Sequence, residues 1–102
     1  MLDSTPIVMP NLTLESRLAI DPRVRFRRFE SDGIVIHQKT AEAIVVSDVA
    51  TRLLEMTDGT RTLQECAAVL QSEFDAPADV IERDVVQFAS ELVDIGVAAV
   101  QA

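Results

Sequence analysis

The stretch EAIVVSDVATRLLEMTDG, residues 42–59, decides the fold because it passes from strand to helix without a linker. Its first five residues have strand-like character, and Ser47 follows them as a candidate N-cap. Val49 and Leu53 then share one helical face, and the predicted helix stops at Gly59. Earlier segments are typical of strands and later ones of helices, so the sequence predicts that a small sheet meets a helical layer here.

Two further strands are predicted before residues 42–46. Residues 23–27, RVRFR, alternate arginine with apolar residues, which is the period of a half-buried strand. Arg28 breaks the alternation, which predicts a bulge or the end of the strand. Gly33 closes a turn signal, with positive φ open to it, and residues 33–38, GIVIHQ, form the next strand. Because only short loops join the segments, the three strands form an antiparallel meander.

Three helices are predicted after the meander. Thr62 and Glu65 match a capping box at the start of the second helix, and Pro77 suits the first turn of the third. The third helix carries a continuous apolar stripe at spacings of four and three, made by Ile81, Val85, Phe88, Leu92 and Ile95. Gly96 ends this helix, and residues 97–100 are a candidate last strand. The predicted fold is α+β and winged-helix-like, with a three-stranded antiparallel sheet packed on a three-helix bundle.

Composition limits the class of protein. The chain has 102 residues, 48% of them hydrophobic, which supports one domain with one core. Residues 1–16 show no periodicity and are predicted to be a flexible N-terminal arm, followed by the domain over residues 17–102. The single Cys66 excludes an internal disulfide, and no apolar run approaches the roughly 20 residues of a membrane span. A cytoplasmic location is therefore expected.

Catalytic chemistry finds little support in the sequence. The chain has no glycine-rich phosphate loop, no HExxH motif and no cysteine pair. His37 and Cys66 could serve as base and nucleophile, but Cys66 lies on the apolar stripe of the second predicted helix, which favours a core thiol. His37 lies on a strand, where a surface or cross-strand position is expected. We predict no catalytic residue, no metal site and no cofactor.

The arginines Arg23, Arg25, Arg27 and Arg28 place four of the nine basic residues within six positions. They have two interpretations: the polar face of a half-exposed strand, or a docking patch for an acidic partner or nucleic acid. The net charge is −8, and from residue 62 onward eight acidic residues accompany only Arg83, so the helical half repels phosphate backbones. Nucleic-acid binding, one alternative function of a winged-helix-like fold, therefore depends on the arginine cluster alone and is not favoured. A protein-interaction module of another kind is the other alternative function.

The third predicted helix has more apolar surface than one core contact requires. At about 100° per residue, one flank of the core stripe carries small and apolar residues: Val86, Ala89, Ser90 and Val93. The other flank is polar, with Asp84 and Glu91. The wide apolar surface indicates either a helix packed between two neighbours or the wall of a groove. In the second interpretation that first flank faces a bound ligand, and Glu82 lies at the lip of the groove.

The run IVVSDVATRLLEMTDGTRTLQECAAVLQSEF, followed by ERDVVQFASELVDIG, resembles the PqqD family of small leader-peptide-binding proteins, also called RiPP recognition elements. The shared pattern is a strand, a cap residue, an alanine-containing helix ending in Asp-Gly, an amphipathic second helix, and then Asp-Val-x-x-Phe with a terminal leucine and glycine. The matching positions are Ser47, Ala50, Leu53, Leu54, Asp58, Gly59, Asp84, Val85, Phe88, Leu92 and Gly96. The resemblance covers about residues 18–100, and many members have asparagine where Ser47 stands.

The resemblance implies a non-catalytic peptide carrier. The leader of a ribosomally synthesised precursor adds a strand beside the third strand, at Ala43, Ile44, Val45 and Val46, and the third helix closes the groove. Strand alternation leaves two choices, since either Ile44 and Val46 or Val45 faces the peptide. The implied partners are the leader peptide and a modifying enzyme, either a radical-SAM maturase or a leader peptidase. An exposed third-strand edge also allows a homodimer.

Overall fold

The computed structural model describes residues 12–101, which contain six strands and three helices. The strands are β1 (Arg17–Ile20), β2 (Val24–Phe29), β3 (Asp32–His37), β4 (Glu42–Val46), β5 (Asp58–Thr62) and β6 (Ala98–Gln101). The helices are α1 (Asp48–Glu55), α2 (Leu63–Glu73) and α3 (Ala78–Asp94). The predicted α+β class is confirmed. The winged-helix comparison is loose, because the strands form two three-stranded sheets instead of one.

The β2–β3–β4 sheet is the predicted antiparallel meander. Its register runs without interruption through Arg28, which lies opposite Gly33, so no bulge forms there and β2 ends at Phe29. The turn comes earlier than predicted, and Glu30, not Gly33, takes the positive φ, at 58°. Gly33 lies inside β3, where a Cβ atom would collide with Oγ1 of Thr51. Glycine is needed at that position for the close approach of α1.

A second antiparallel sheet, with strand order β5–β1–β6, is not predicted from the sequence. Only β6 is expected, as residues 97–100, one residue away from its observed position. β5 has the sequence DGTRT and lies where α1 is predicted to stop. In the structure α1 ends at Glu55, and Gly59, with a φ of 86°, lies within β5. A polar five-residue strand has no apolar alternation to reveal it, and its pairing with β1 decides its conformation.

The helices begin at the predicted caps. Oγ of Ser47 accepts a hydrogen bond from the Ala50 N–H at 3.2 Å. Thr62 and Glu65 form the complete capping box at the start of α2. Pro77 occupies the N-cap position of α3, without a side-chain hydrogen bond. Ser and Thr side chains accept hydrogen bonds from the free N–H groups of the first turn, and proline has no N–H group that needs a partner. The sequence therefore locates the helix starts well.

One aliphatic core joins the helices to both sheets. Its largest buried side chains are Leu18, Leu53, Leu54, Met56, Leu63, Leu70, Val35, Val85 and Val97. Burial of each stabilises the fold by about 1.5–3 kcal/mol relative to exposure. Of the helices in the described part of the chain, none is long and apolar enough to cross a membrane.

Residues 12–16 belong to the folded body, contrary to the predicted arm. The first two N–H groups of α2 donate to the carbonyls of Ser16 and Leu14, at 2.9 and 2.7 Å. Leu12 and Leu14 also pack against the core. Because the first N–H groups of a helix lack partners within it, this segment supplies acceptors that α2 needs. The rest of the predicted arm, residues 1–11, lies outside the described residues.

Candidate functional site

β4 is an edge strand with unpaired backbone groups. On one side it pairs with β3, and within residues 12–101 no strand pairs with its other side. Four of its five residues are exposed and the fifth, Val46, is half-buried. The N–H and C=O groups along its outer edge are therefore available to an extended peptide.

The end of β4 is held against α1. The Ser47 carbonyl accepts a hydrogen bond from Oγ1 of Thr51 at 2.7 Å. Thr51 is fully buried and lies against Gly33, the residue opposite Val46 in the sheet. Because strand and helix follow each other without a linker, this contact sets the angle at which β4 meets the helical layer.

The strand register shows which side chains of β4 face the helices. Ile44 lies opposite Val35, which is fully buried, and Val45 lies opposite Ile34. Residues directly opposite each other share a face of the sheet. Ile44 and Val46 therefore point towards the helices, whereas Ala43 and Val45 point away from them.

Two apolar cavities lie along the β4 edge and form what we call the groove. The first, of about 310 Å³, is lined by Val35, Ile44, Val46, Phe88, Glu91, Leu92 and Ile95. The second, of about 350 Å³, continues past the end of β4 and is lined by Ser47, Val49, Ala50, Leu53, Phe74, Ala76, Val80, Ile81, Asp84, Val85 and Phe88. Phe88 lines both cavities, so it is the wall that they share. β4 and the start of α1 form one side of the groove, and α3 forms the other.

The groove uses the opposite flank of α3 from the one that the sequence predicts. None of the predicted residues Glu82, Val86, Ala89, Ser90 and Val93 lines either cavity. Ala89 is fully buried in the core, and a carboxylate oxygen of Glu82 accepts a hydrogen bond from Nε2 of Gln64 on α2 at 3.0 Å. Ala89 and Glu82 thus face the core and α2, while Val86, Ser90 and Val93 are half-buried.

The flank that faces β4 carries Asp84, Phe88, Glu91 and Ile95, at spacings of four, three and four. The sequence marks this flank as polar because two of these four residues are acidic. Phe88 and Ile95 belong to the apolar stripe predicted as core, but in the structure they line the groove, and half of the Ile95 side chain is exposed at the end of the helix. Each cavity therefore has one carboxylate, Asp84 or Glu91, on an otherwise apolar wall, which suits a ligand with both apolar and cationic groups.

The predicted arginine patch is divided between two faces of the sheet. Arg23 forms an ion pair with Asp21 at 2.9 Å, and its hydrogen bonds hold the pKa of that carboxyl far below the usual range. Arg28 points towards the helices and pairs with Asp48 at 2.8 Å and Glu55 at 3.1 Å.

The other two arginines of the cluster, Arg25 and Arg27, lie on the opposite face of the sheet from Arg28. Both are exposed, and neither pairs with a carboxylate of the described residues. A single four-arginine surface, the basis of the nucleic-acid alternative, is therefore not formed.

The remaining titratable candidates belong to the interior. Cys66 is buried in the core, and this burial raises the pKa of its thiol, as predicted for a structural cysteine. Of the two positions predicted for His37, the structure shows the cross-strand one, opposite Val24 and Glu42; the side chain is buried, and its Nδ1 accepts a hydrogen bond from the Lys39 N–H at 3.2 Å. Within residues 12–101 no three His, Cys, Asp or Glu side chains are grouped to hold a metal ion. The groove beside the unpaired edge of β4 is the candidate site.

Proteins of known family share this sequence pattern. A family profile described as "Coenzyme PQQ synthesis protein D (PqqD)" matches residues 32–98. The PqqA binding protein of Xanthomonas axonopodis pv. citri (strain 306) is 31% identical over 84 residues, which cover 82% of this chain and 91% of that protein. The PqqA binding protein of Xanthomonas campestris pv. campestris (strain B100) is 39% identical over 84 residues, again 82% and 91% of the two chains.

Two solved structures share the fold. The PqqD truncation of Methylobacterium extorquens PqqCD, described as a stand-alone RiPP recognition element, has a TM-score of 0.73 and 21% identity, over 86% of this chain and 94% of that one. TbiB1 in complex with the TbiA(beta) leader peptide has a TM-score of 0.73 and 17% identity, over 82% and 98%. Since the family profile spans more than half of the sequence and the relatives align over most of their length, this chain belongs to the PqqD family.

Proposed function

We propose that this chain is a non-catalytic carrier for the leader of a ribosomally synthesised precursor peptide. The leader pairs with the outer edge of β4 by strand addition and places alternate side chains in the groove. The observation that carries the proposal is an unpaired strand edge that runs along an apolar groove. The names of the PqqA binding proteins and the leader complex of TbiB1 support it.

Backbone pairing alone is too weak to hold a leader. Each hydrogen bond contributes about 1 kcal/mol net, and a five-residue strand directs only alternate residues outward. A micromolar complex needs about 8 kcal/mol. Burial of apolar side chains in the two cavities, at about 1.5–3 kcal/mol each, supplies much of the difference. We therefore expect bulky apolar residues at alternate positions of the bound segment.

Charge adds a second requirement on the leader. Glu91 lines the first cavity and Asp84 the second, and both carboxylates are exposed at the wall of the groove. The net charge of the chain is −8, so its overall field attracts cations. A leader with Lys or Arg beside its apolar residues fits this wall, and an acidic leader is repelled by it.

The carrier delivers the precursor to a modifying enzyme, and the resemblance implies a radical-SAM maturase or a leader peptidase. Holding the leader keeps the rest of the precursor at high effective concentration beside that enzyme, so the carrier needs no catalytic residue of its own. The same β4 edge can pair with a second copy of the chain, and such a homodimer would compete with the leader.

Titration of the isotope-labelled protein with a synthetic leader, taken from the precursor gene beside its own, tests the proposal. We expect the amide signals of β4 and of Phe88, Glu91 and Ile95 to shift. Signals of Val86 and Ser90 should move less, because neither residue lines the groove. Unchanged β4 signals at saturating leader would refute the proposal.

Two adjacent residues of β4 provide matched variants for this titration. Ile44→Asp places a charge in the groove and should weaken leader binding at least tenfold, because an unpaired charge resists burial. Val45→Asp introduces the same charge on the opposite face, outside the groove, and should weaken leader binding clearly less than Ile44→Asp does. Equal losses in the two variants would argue against the groove as the binding site.

A further inference from the structure

The β2–β3–β4 sheet has a second face, which points away from the helices and which leader binding leaves uncovered. We call it the outer face and define it by Arg25, Arg27, Phe29, Ile34, Ile36 and Val45. Val45 is 73% exposed, Phe29 62% and Ile36 43%. Cross-strand neighbours bring Arg27, Ile34 and Val45 into one row. Large apolar side chains that form a continuous exposed surface commonly mark a docking site.

The outer face carries two arginines and the carboxylate of Asp32, which lies opposite Phe29, so its charge is net positive in an acidic protein. Among residues 12–101, Arg25 donates hydrogen bonds only to the carbonyls of Pro22 and Val24, at 2.9 and 3.1 Å, and Arg27 has no carboxylate partner. By contrast, Arg28 in the same strand is held by two carboxylates. A complementary surface therefore presents apolar residues with carboxylates beside them.

Size and charge distinguish among the possible occupants. Two arginines are few for nucleic acid, because affinity for it comes largely from lysine and arginine contacts to several phosphates. A second copy is also a poor fit: three strands about 4.8 Å apart and about 17 Å long cover roughly 250 Å² per copy. Both copies together would bury about 500 Å², and stable interfaces bury at least about 1,200 Å². An interface of this area is weak, and a protein that presents carboxylates complements Arg25 and Arg27 better than a second copy that brings the same arginines.

A peptide bound to β4 would extend this face. Side chains of a strand alternate between the two faces of a sheet, so those that do not enter the groove lie beside Val45 on the outer face. A protein seated there would touch the carrier and its peptide together. An enzyme that acts on the loaded carrier has reason to recognise this combination.

We propose that the outer face docks the modifying enzyme, through carboxylates of the enzyme that meet Arg25 and Arg27 and apolar residues that pack on Ile36 and Val45. This proposal rests on the proposed function, because the enzyme comes to the carrier for its peptide. The contact is weak and transient, which allows the carrier to leave after modification.

The test measures binding of the labelled, leader-saturated full chain to the purified modifying enzyme that is encoded beside the precursor. Arg27→Glu should weaken this binding about tenfold, because it replaces a favourable charge pair with a repulsive one. Arg83→Glu, in an exposed position on α3, changes the net charge by the same amount and should alter the affinity less than twofold. Leader affinity and the urea midpoint of each variant, measured in parallel, show that groove and fold are intact.

Each outcome decides between the proposals. An enzyme affinity that Arg27→Glu leaves unchanged, with leader binding intact, overturns the docking proposal and leaves the carrier function standing. Failure of the unaltered chain to bind leader overturns the carrier function itself. Self-association in sedimentation that Arg27→Glu abolishes assigns the outer face to a second copy, and binding of a DNA or RNA duplex that Arg27→Glu abolishes assigns it to nucleic acid. Either result overturns the enzyme as occupant.

Discussion

The two faces of the β2–β3–β4 sheet differ in two respects: whether other elements cover their apolar residues, and whether carboxylates pair with their arginines. On the inner face, Val35 is buried, Arg28 is paired with carboxylates, and α3 encloses a groove beside Ile44. On the outer face, Val45 is exposed and Arg27 has no carboxylate partner within residues 12–101. Because neighbouring residues of a strand alternate in direction, one short sheet provides two surfaces with separate chemistry. The comparison suggests that peptide and enzyme are bound on opposite sides of the same strands.

The largest expected effect comes from a pair of phenylalanine substitutions, one in the groove at Phe88 and one on the outer face at Phe29. Phe88→Ala removes the wall between the two cavities and should weaken leader binding about thirtyfold, as loss of a buried aromatic anchor typically costs about 2 kcal/mol or more. Calorimetric titration with the leader measures this. Phe29→Ala removes an exposed phenylalanine of the outer face and should leave leader affinity unchanged. Similar losses in both variants would mean that the faces do not act separately.

A second substitution tests how closely α1 approaches the inner face. Gly33→Ala adds a Cβ atom where Thr51 already lies, and overpacking of this kind should lower the free energy of unfolding by about 1–3 kcal/mol. Urea denaturation gives the value. The double variant Gly33→Ala with Thr51→Ala should lose less than the sum of the two single changes, since the second removes the colliding atoms. Strict additivity would contradict the proposed collision.

The smallest expected effect is on the pH dependence of stability, and it compares the neighbouring residues Arg28 and Arg27. Hydrogen bonds from Arg28 hold the pKa of Glu55 below its usual value of about 4.5. A carboxyl whose pKa is lowered by folding stabilises the protein above its unfolded pKa, and this contribution is lost as the pH falls through the folded value. Arg28→Gln should therefore reduce the loss of stability between neutral pH and about pH 3.

Arg27→Gln is the matched control for this measurement. Arg27 has no carboxylate partner in the described part of the chain, so its replacement should leave the acid dependence of the urea midpoint as it is. An equal change in both variants would show that net charge, and not the ion pairs of Arg28, sets the acid response.

The sequence predicts well the features that depend on local chemistry. The meander, the caps at Ser47 and Thr62, and the apolar stripe of α3 all follow from periodicity and from residues that satisfy free N–H groups. It misses β5, whose residues acquire strand geometry by pairing with β1, far away in the chain. Short polar strands carry no periodic signal of their own.

The candidate site, too, is only partly predictable from the sequence. Periodicity identifies α3 as the helix that forms the wall, but its wide apolar surface does not show which part of that surface packs inside the protein and which part is left for the groove. The structure places Val86 and Ala89 towards the core and α2, and leaves Phe88 and Ile95 for the groove. The sequence also leaves open which alternate residues of β4 face the helices. Pairing with β3 decides this, because residues opposite each other share a face of the sheet.

By itself, the sequence determines the strand-to-helix junction at residues 42–59, the aliphatic core and the family, because each depends on residue types at short spacings. Only the tertiary structure decides that β4 is an unpaired edge, that Ile44 and not Val45 faces the groove, and that Arg27 lacks the carboxylates that hold Arg28. These properties are relations between segments distant in the chain. They exist only when packing brings the segments together, and the binding surfaces are built from them.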